Sequence, residues 1–179
     1  LALGAAIVND VWGLQRDADM ARVVAAHAAP VVVMHTRDAV DPAIDILADI
    51  RAFFSRSIDI ALRAGVRRER IVLDPGIGFG KTPEQSIQAI ARLEEVGLPG
   101  FPLLIGVSRK RFIASVSPAP PDERLGGSIA ANVLAVLPFT VRGSPALGYL
   151  GEGLVALLSA SLDAAARIRR VNQNALLGI

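Results

Sequence analysis

Ile71-Val72-Leu73 runs straight into Asp74-Pro75-Gly76-Ile77-Gly78-Phe79-Gly80-Lys81. The first three residues are apolar and partly β-branched, without polar alternation. That pattern suits a parallel strand buried on both faces. The octapeptide then changes character. It places a carboxylate at the strand end, three glycines that let backbone approach a ligand closely, and a flat aromatic face at Phe79. Asp74 has two readings. It accepts the paired N–H donors of a fused heterocycle with an amino-pyrimidinone edge, or it caps the turn before the next helix. The glycines could also cradle phosphate, but they lack the spacing of a nucleotide P-loop.

The same arrangement recurs along the chain. Ile7 to Val11, Val31 to Met34 and Leu103 to Gly106 read as further strands of this kind. Asn9-Asp10, Met34-His35 and Gly106-Val107-Ser108-Arg109-Lys110 stand at their carboxyl ends. Ligands of parallel α/β folds bind at those ends, so one shared site is expected there. Asn9 reads a heterocycle edge or forms an Asn-Asp turn. Ser108-Arg109-Lys110 offers a hydroxyl and two cations to an anionic or π-faced ligand, or is an exposed basic turn. His35 is a general base or a satisfied polar residue, Met34 a wall residue, and His27 an inert helical one. No His, Asp or Glu spacing makes a self-contained metal site, and no Ser–His–Asp order is persuasive.

Helical patterns alternate with the strands. Asp17 to Ala28 carries Met20, Val23 and Val24 on one stripe. Asp41-Pro42 offers an N-cap and a first-turn proline for a helix reaching Ala64, with Ile44, Leu47, Ile50, Phe54, Ile58 and Leu62 on its apolar face and Gly65 at its end. Thr82-Pro83-Glu84-Gln85 is a capping box opening a helix to about Glu95. Arg124 to Leu137 is a further helix, and Leu154 to Arg169 fits another. Repeated strand–helix units mean a parallel sheet, doubly wound or in a barrel. Four units are clear, and a complete eight-unit barrel takes roughly 250 residues.

Composition narrows the function class. The chain has 179 residues, 52% of them apolar, a formal charge of +2 and no cysteine. One domain with a sizeable core is expected, and disulfides and thiolate metal sites are excluded. The densest basic cluster, Arg67, Arg68 and Arg70, is interrupted by Glu69 and reads as a helix-to-strand turn. With few aromatics, nucleic-acid binding is not expected. No apolar run is long enough to span a bilayer, so a soluble, cytoplasmic protein without membrane partners is expected. The chain opens inside what reads as an ordered element, Leu1 to Val8, which suggests a fragment.

Read in order, these strand-end residues resemble dihydropteroate synthase. The matching segments are Gly4 to Val11, Val33-Met34-His35, Asp74 to Lys81, Ser108-Arg109-Lys110 and Glu123-Arg124-Leu125-Gly126-Gly127-Ser128. The octapeptide and the Ser-Arg-Lys motif are the most specific. The resemblance implies an α/β fold, a partial (β/α)8 TIM barrel corresponding to about strands 4–8. It implies a single partial domain over 1–179, with 1–136 matching and 137–179 a divergent tail. It implies a transferase that condenses 6-hydroxymethyl-7,8-dihydropterin diphosphate with 4-aminobenzoate, giving 7,8-dihydropteroate and pyrophosphate with Mg²⁺ assistance, commonly as a homodimer. By motif, Asn9, Met34, Asp74, Gly78, Gly106 and Lys110 contact the pterin. Phe79, Ser108 and Arg109 line the aminobenzoate pocket, and Asp74 and Lys110 carry the catalysis. Two departures stand out. The segments with the family's metal-binding Asn and its Thr-Arg loop have no match, and the Leu137 to Tyr149 stretch lacks the Arg-x-His that grips diphosphate. Two rivals remain: a methyltetrahydrofolate-dependent methyltransferase barrel, which does not need Ser108-Arg109-Lys110, and an inactive binding module.

Overall fold

The computed structural model describes residues 1–136. Residues 137–179, with the helix read over Leu154 to Arg169 and the divergent tail, lie outside them. Among the described residues a three-stranded parallel sheet, in the order β1-β2-β3, is formed by β1 (Val8–Asp10), β2 (Val31–Met34) and β3 (Ile71–Asp74). The helices are α1 (Met20–Ala26), α2 (Ile46–Arg63), α3 (Pro83–Ala91), α4 (Leu93–Val96), α5 (Arg111–Val116) and α6 (Leu125–Val136). The result is α/β, as the alternating pattern requires.

Register assigns the two faces of the sheet. Val31 pairs with Ile71, Val33 with Leu73 and Met34 with Asp74, while Asn9 pairs with Val32. Side chains alternate along a strand. Val31, Val33, Ile71 and Leu73 therefore share one face, and all four are fully buried with Ile46, Ile50 and Phe54 of α2. Burying each such side chain stabilises the fold by about 1.5–3 kcal/mol. The alternate row, Asn9, Val32, Met34, Val72 and Asp74, faces the other way. Every site residue read from β1, β2 and β3 lies on that second face.

Four expectations need correction. Leu103 to Gly106 is not a strand: it makes a single parallel bridge, Leu73 to Leu103. The Leu104 N–H donates to the Leu73 carbonyl at 2.8 Å, but no described strand lies on the outer side to extend the ladder. Asp41 does not open α2. Its carbonyl accepts from the Gln85 side chain at 2.7 Å and its carboxylate from the Ala43 N–H at 3.0 Å, which holds residues 41–45 as a loop. Asp45 is the N-cap instead, accepting from Leu47 and Ala48. Val23 and Leu62 are not core residues. Ala21 and Val24 bury α1, and Phe53 and Ala61 join the buried face of α2. The third helix stops at Ala91, because Arg92 leaves helical geometry before the short α4. The Thr82–Gln85 capping box forms with both bonds, at 3.1 and 2.9 Å.

Candidate functional site

The site is built around the segment that follows β3. Asp74 through Ile77 are buried, whereas Gly78 and Phe79 emerge to solvent. Gly76, Gly78 and Gly80 all have left-handed backbones, with φ of 60°, 82° and 60°. A Cβ at Gly76 would overlap the His35 carbonyl oxygen, and one at Gly80 would press on Arg37. Only glycine allows the loop to lie this close to the segment after β2.

Asp74 closes the turn with one of its two carboxylate oxygens. Its Oδ1 accepts from the Gly76 N–H at 2.8 Å and so closes the turn. Its Oδ2 has no hydrogen bond among the described residues. Burial raises the Asp74 pKa above the ordinary carboxylate value, opposed by the Gly76 N–H and by the Lys110 and Lys81 charges. Met34 is its register partner and is almost fully buried beside it.

Lys110 reaches the same place from the segment before α5. Its ammonium lies 4.2 Å from the centre of the Phe79 ring, a cation–π distance. Its pKa is lowered by burial, with Asp74 pulling the other way. Gly78 sits under its stem, where an added Cβ would lie 3.5 Å from the Lys110 Cδ. Ser108 and Arg109 are exposed on the turn that leads into Lys110. Gly106 has open space around it. At β1, Asp10 makes the turn, accepting from Trp12 and Leu14 at 3.0 and 2.7 Å, which leaves Asn9 exposed. The structure thus gathers Asp74, Phe79, Gly78, Met34 and Lys110, and sets Asn9 on the same sheet face. It puts Ser108 and Arg109 beside Lys110.

Two groups were not singled out in the sequence. Lys81 is 5% exposed and binds His35 Nδ1 at 2.7 Å and the Gly76 and Phe79 carbonyls at 2.9 and 3.2 Å. The other side of the His35 ring meets Asp49 at 3.0 Å, and Asp49 also accepts from Arg37 at 2.9 Å. Burial, then the Lys81 charge, lowers the His35 pKa to about 4. His35 is thus neutral, fully enclosed and bonded at both nitrogens, a satisfied structural residue rather than a general base. Burial raises Asp49, but hydrogen bonds from Arg37 and His35 outweigh it and hold its carboxyl below the usual value. The second group is Ser128. Its hydroxyl accepts from the Arg109 N–H at 2.8 Å and donates to the Arg124 carbonyl at 2.7 Å. It steadies Arg109, a non-glycine residue held at φ 54°. Nothing local in the sequence marks Lys81 as buried, though its place between a glycine run and a helix cap was a signal.

The basic cluster is the turn it was read as. Arg68 stacks 4.0 Å from the Phe101 ring, and Arg67 pairs with Glu69. His27 closes α1, bonded to the Val23 carbonyl. A neighbouring cavity of about 350 Å³, whose lining includes Trp12, Arg16, Arg37 and Arg56, includes none of the residues gathered around Asp74.

A family profile described as pterin binding enzyme matches residues 1–138. A dihydropteroate synthase of Clostridium beijerinckii is 42% identical over 134 residues, covering 75% of this chain and 49% of that protein. The structure of a dihydropteroate synthase from Clostridium difficile in the presence of pteroic acid is 47% identical, with a TM-score of 0.72, over 75% of this chain and 51% of that one. The Xanthomonas albilineans dihydropteroate synthase with 4-aminobenzoic acid is 31% identical, with a TM-score of 0.75, over 94% and 60%. The chain spans about half the length of the curated relatives it matches.

Proposed function

The chain belongs to the pterin-binding enzyme family, and from that premise we propose that it carries the pterin half of a dihydropteroate synthase site, corresponding to about strands 4–8 of a (β/α)8 barrel. One observation carries this reading. Asp74, buried at the end of β3, has one carboxylate oxygen closed in a turn and the other without a hydrogen bond among the described residues, in the field of Lys110, whose ammonium lies over the Phe79 ring. An amino-pyrimidinone edge offers the two adjacent N–H donors that such a carboxylate accepts.

In this reading Asp74 and Asn9 fix the pterin edge, and Met34, Gly78 and Gly106 wall its ring. Lys110 stands between the pterin and the arylamine, which Phe79, Ser108 and Arg109 enclose. The reaction breaks the bond from the pterin methylene to diphosphate and forms a C–N bond to the arylamine, whose proton is released. These residues contribute position and charge, the two things such a displacement needs most. Lys110 also offsets the Asp74 charge, so a neutral heterocycle meets a balanced pair.

Magnesium belongs to the family expectation. The described residues hold no group of three or more His, Cys, Asp or Glu side chains that could bind an ion. Asp74 stands among lysines rather than carboxylates. The residues of this site therefore do not fit the metal, and no step runs through it. Homodimeric assembly and a cytosolic location are parts of the same proposal. No described helix is long and apolar enough to cross a membrane. The Ser108-Arg109-Lys110 turn, whose Lys110 lies over the Phe79 ring, favours this reading over a methyltransferase barrel.

The test is direct formation of dihydropteroate from the pterin diphosphate and 4-aminobenzoate by the purified chain. Product that disappears in Lys110→Met supports the proposal. Pterin binding without any product would make the chain a binding module instead.

A further inference from the structure

A buried lysine needs an explanation, because burial alone would strip its charge. Lys81 is 5% exposed, and it contacts neither the open oxygen of Asp74 nor the Phe79 ring. Its three acceptors, His35 Nδ1 and the carbonyls of Gly76 and Phe79, match the three N–H donors of an ammonium. Two of the three belong to the left-handed glycine loop, one at its buried start and one at its exposed tip. The third is anchored through Asp49 to α2 and through Arg37 to the segment after β2. The loop otherwise holds its shape by the Gly76 and Phe79 N–H bonds, to Asp74 and to the Gly76 carbonyl.

We propose that Lys81 is a positioning residue that fastens the Gly76–Gly80 loop to the His35–Asp49 pair, and thereby presents the Phe79 ring to Lys110 and to the arylamine. This rests on the pterin and arylamine reading of the site. The effect of Lys81 falls mainly on the arylamine side, since Asp74 and Asn9 are held by their own strands and Gly78 is the one pterin-wall residue in this loop.

The test compares wild type with Lys81→Met, which keeps length and removes the donors. Amide hydrogen exchange is read at Gly76 and Phe79, whose N–H groups are bonded within the loop, with α2 as the internal control. Protection of the loop amides falls about tenfold or more, as loss of the two hydrogen bonds to the loop carbonyls requires, while α2 is unchanged. In calorimetry, 4-aminobenzoate affinity weakens by a similar factor, and 6-hydroxymethylpterin affinity stays within about twofold. Equal loss of both affinities, or loop protection within about twofold of wild type, overturns the proposal. If wild type binds neither ligand, the functional reading fails, and loop exchange still decides the role of Lys81.

Wild type supplies a reading that needs no variant. Lys81 faces His35, Arg37, Asp49, Asp74 and Lys110. Burial, opposed chiefly by Asp74, lowers Lys81 to about 7, and burial lowers His35 to about 4. An open loop returns Lys81 to water, so opening takes up a proton above about pH 7 and closure strengthens as pH rises. Loop protection, corrected for intrinsic exchange, then grows about tenfold or more from about pH 6 to about pH 8. A flat profile overturns the assignment.

Discussion

The segments that follow β3 and Leu103 share a sequence logic, an apolar run and then glycine with polar residues, but the chain holds them differently. The first is a wall. Its strand is paired with β2 on one side and bridged to Leu103 on the other, its first residues are buried, and Lys81 fastens it from within. The second is held from one side. Ser108 and Arg109 are exposed, Leu104 is open to solvent, and the hold on Arg109 comes from Ser128 and Arg124 of the next helical segment. Polar residues that follow apolar runs are therefore brought to one end of the sheet, whereas the pairing of the strand decides how rigidly each is presented. In the functional reading, Asp74 and Phe79 are preformed, and the Ser108–Arg109 turn can adjust.

Substitutions at paired positions sharpen this contrast. The largest expected effect is Gly76→Ala. It puts a methyl group against the His35 carbonyl at a left-handed backbone, and costs about 3 kcal/mol or more in thermal or denaturant unfolding. A loss under about 1 kcal/mol would mean that the β3 loop yields as readily as its counterpart.

Acid comes next. The folded His35 pKa, about 4, lies below its unfolded value of 6.5. Its contribution is full above pH 6.5 and is lost as pH falls through about 4. Stability should drop by about 3 kcal/mol across that window, and His35→Gln should flatten most of the slope. Asp74 works in the opposite sense. Burial raises its pKa, so its contribution is full at low pH and lost as pH rises through the folded value. An unchanged slope in His35→Gln would break the account of the buried chain.

Ser128→Ala is smaller, about 1 kcal/mol, because one neutral hydrogen bond braces the Arg109 turn. Its stronger signature is a weakened 4-aminobenzoate affinity with pterin affinity kept. Gly106→Ala should be nearly silent, within about 0.5 kcal/mol, since nothing lies near its Cβ. A cost near that of Gly76→Ala would erase the difference between the two segments.

Much of this was legible beforehand for local reasons. The second strand, Val31–Met34, and the Thr82–Gln85 box depend on neighbours in sequence, and both appear where the pattern placed them. Asp74, Phe79 and Lys110 were found by position, as the residues that follow apolar runs. What escaped depends on distant partners. Asp41 has every local mark of a helix start, yet Gln85, 44 residues away, takes its carbonyl. Lys81 looks like any surface lysine until His35, 46 residues earlier, is placed beside it. Ser128 reaches back 19 residues to Arg109. The sequence separation of these bonds hides them from any pattern of period two or 3.6.

The most direct test is calorimetric titration of the chain with 6-hydroxymethylpterin, in wild type and Asp74→Asn. Asparagine can still accept from the Gly76 N–H and has no charge to bury, so the fold should keep its stability or gain slightly. The account predicts saturable binding to wild type, weakened by about 30-fold or more in the variant, as loss of a charged acceptor implies. Equal binding by both proteins, or loss of binding only through unfolding of the variant, would contradict a carboxylate placed here for a ligand.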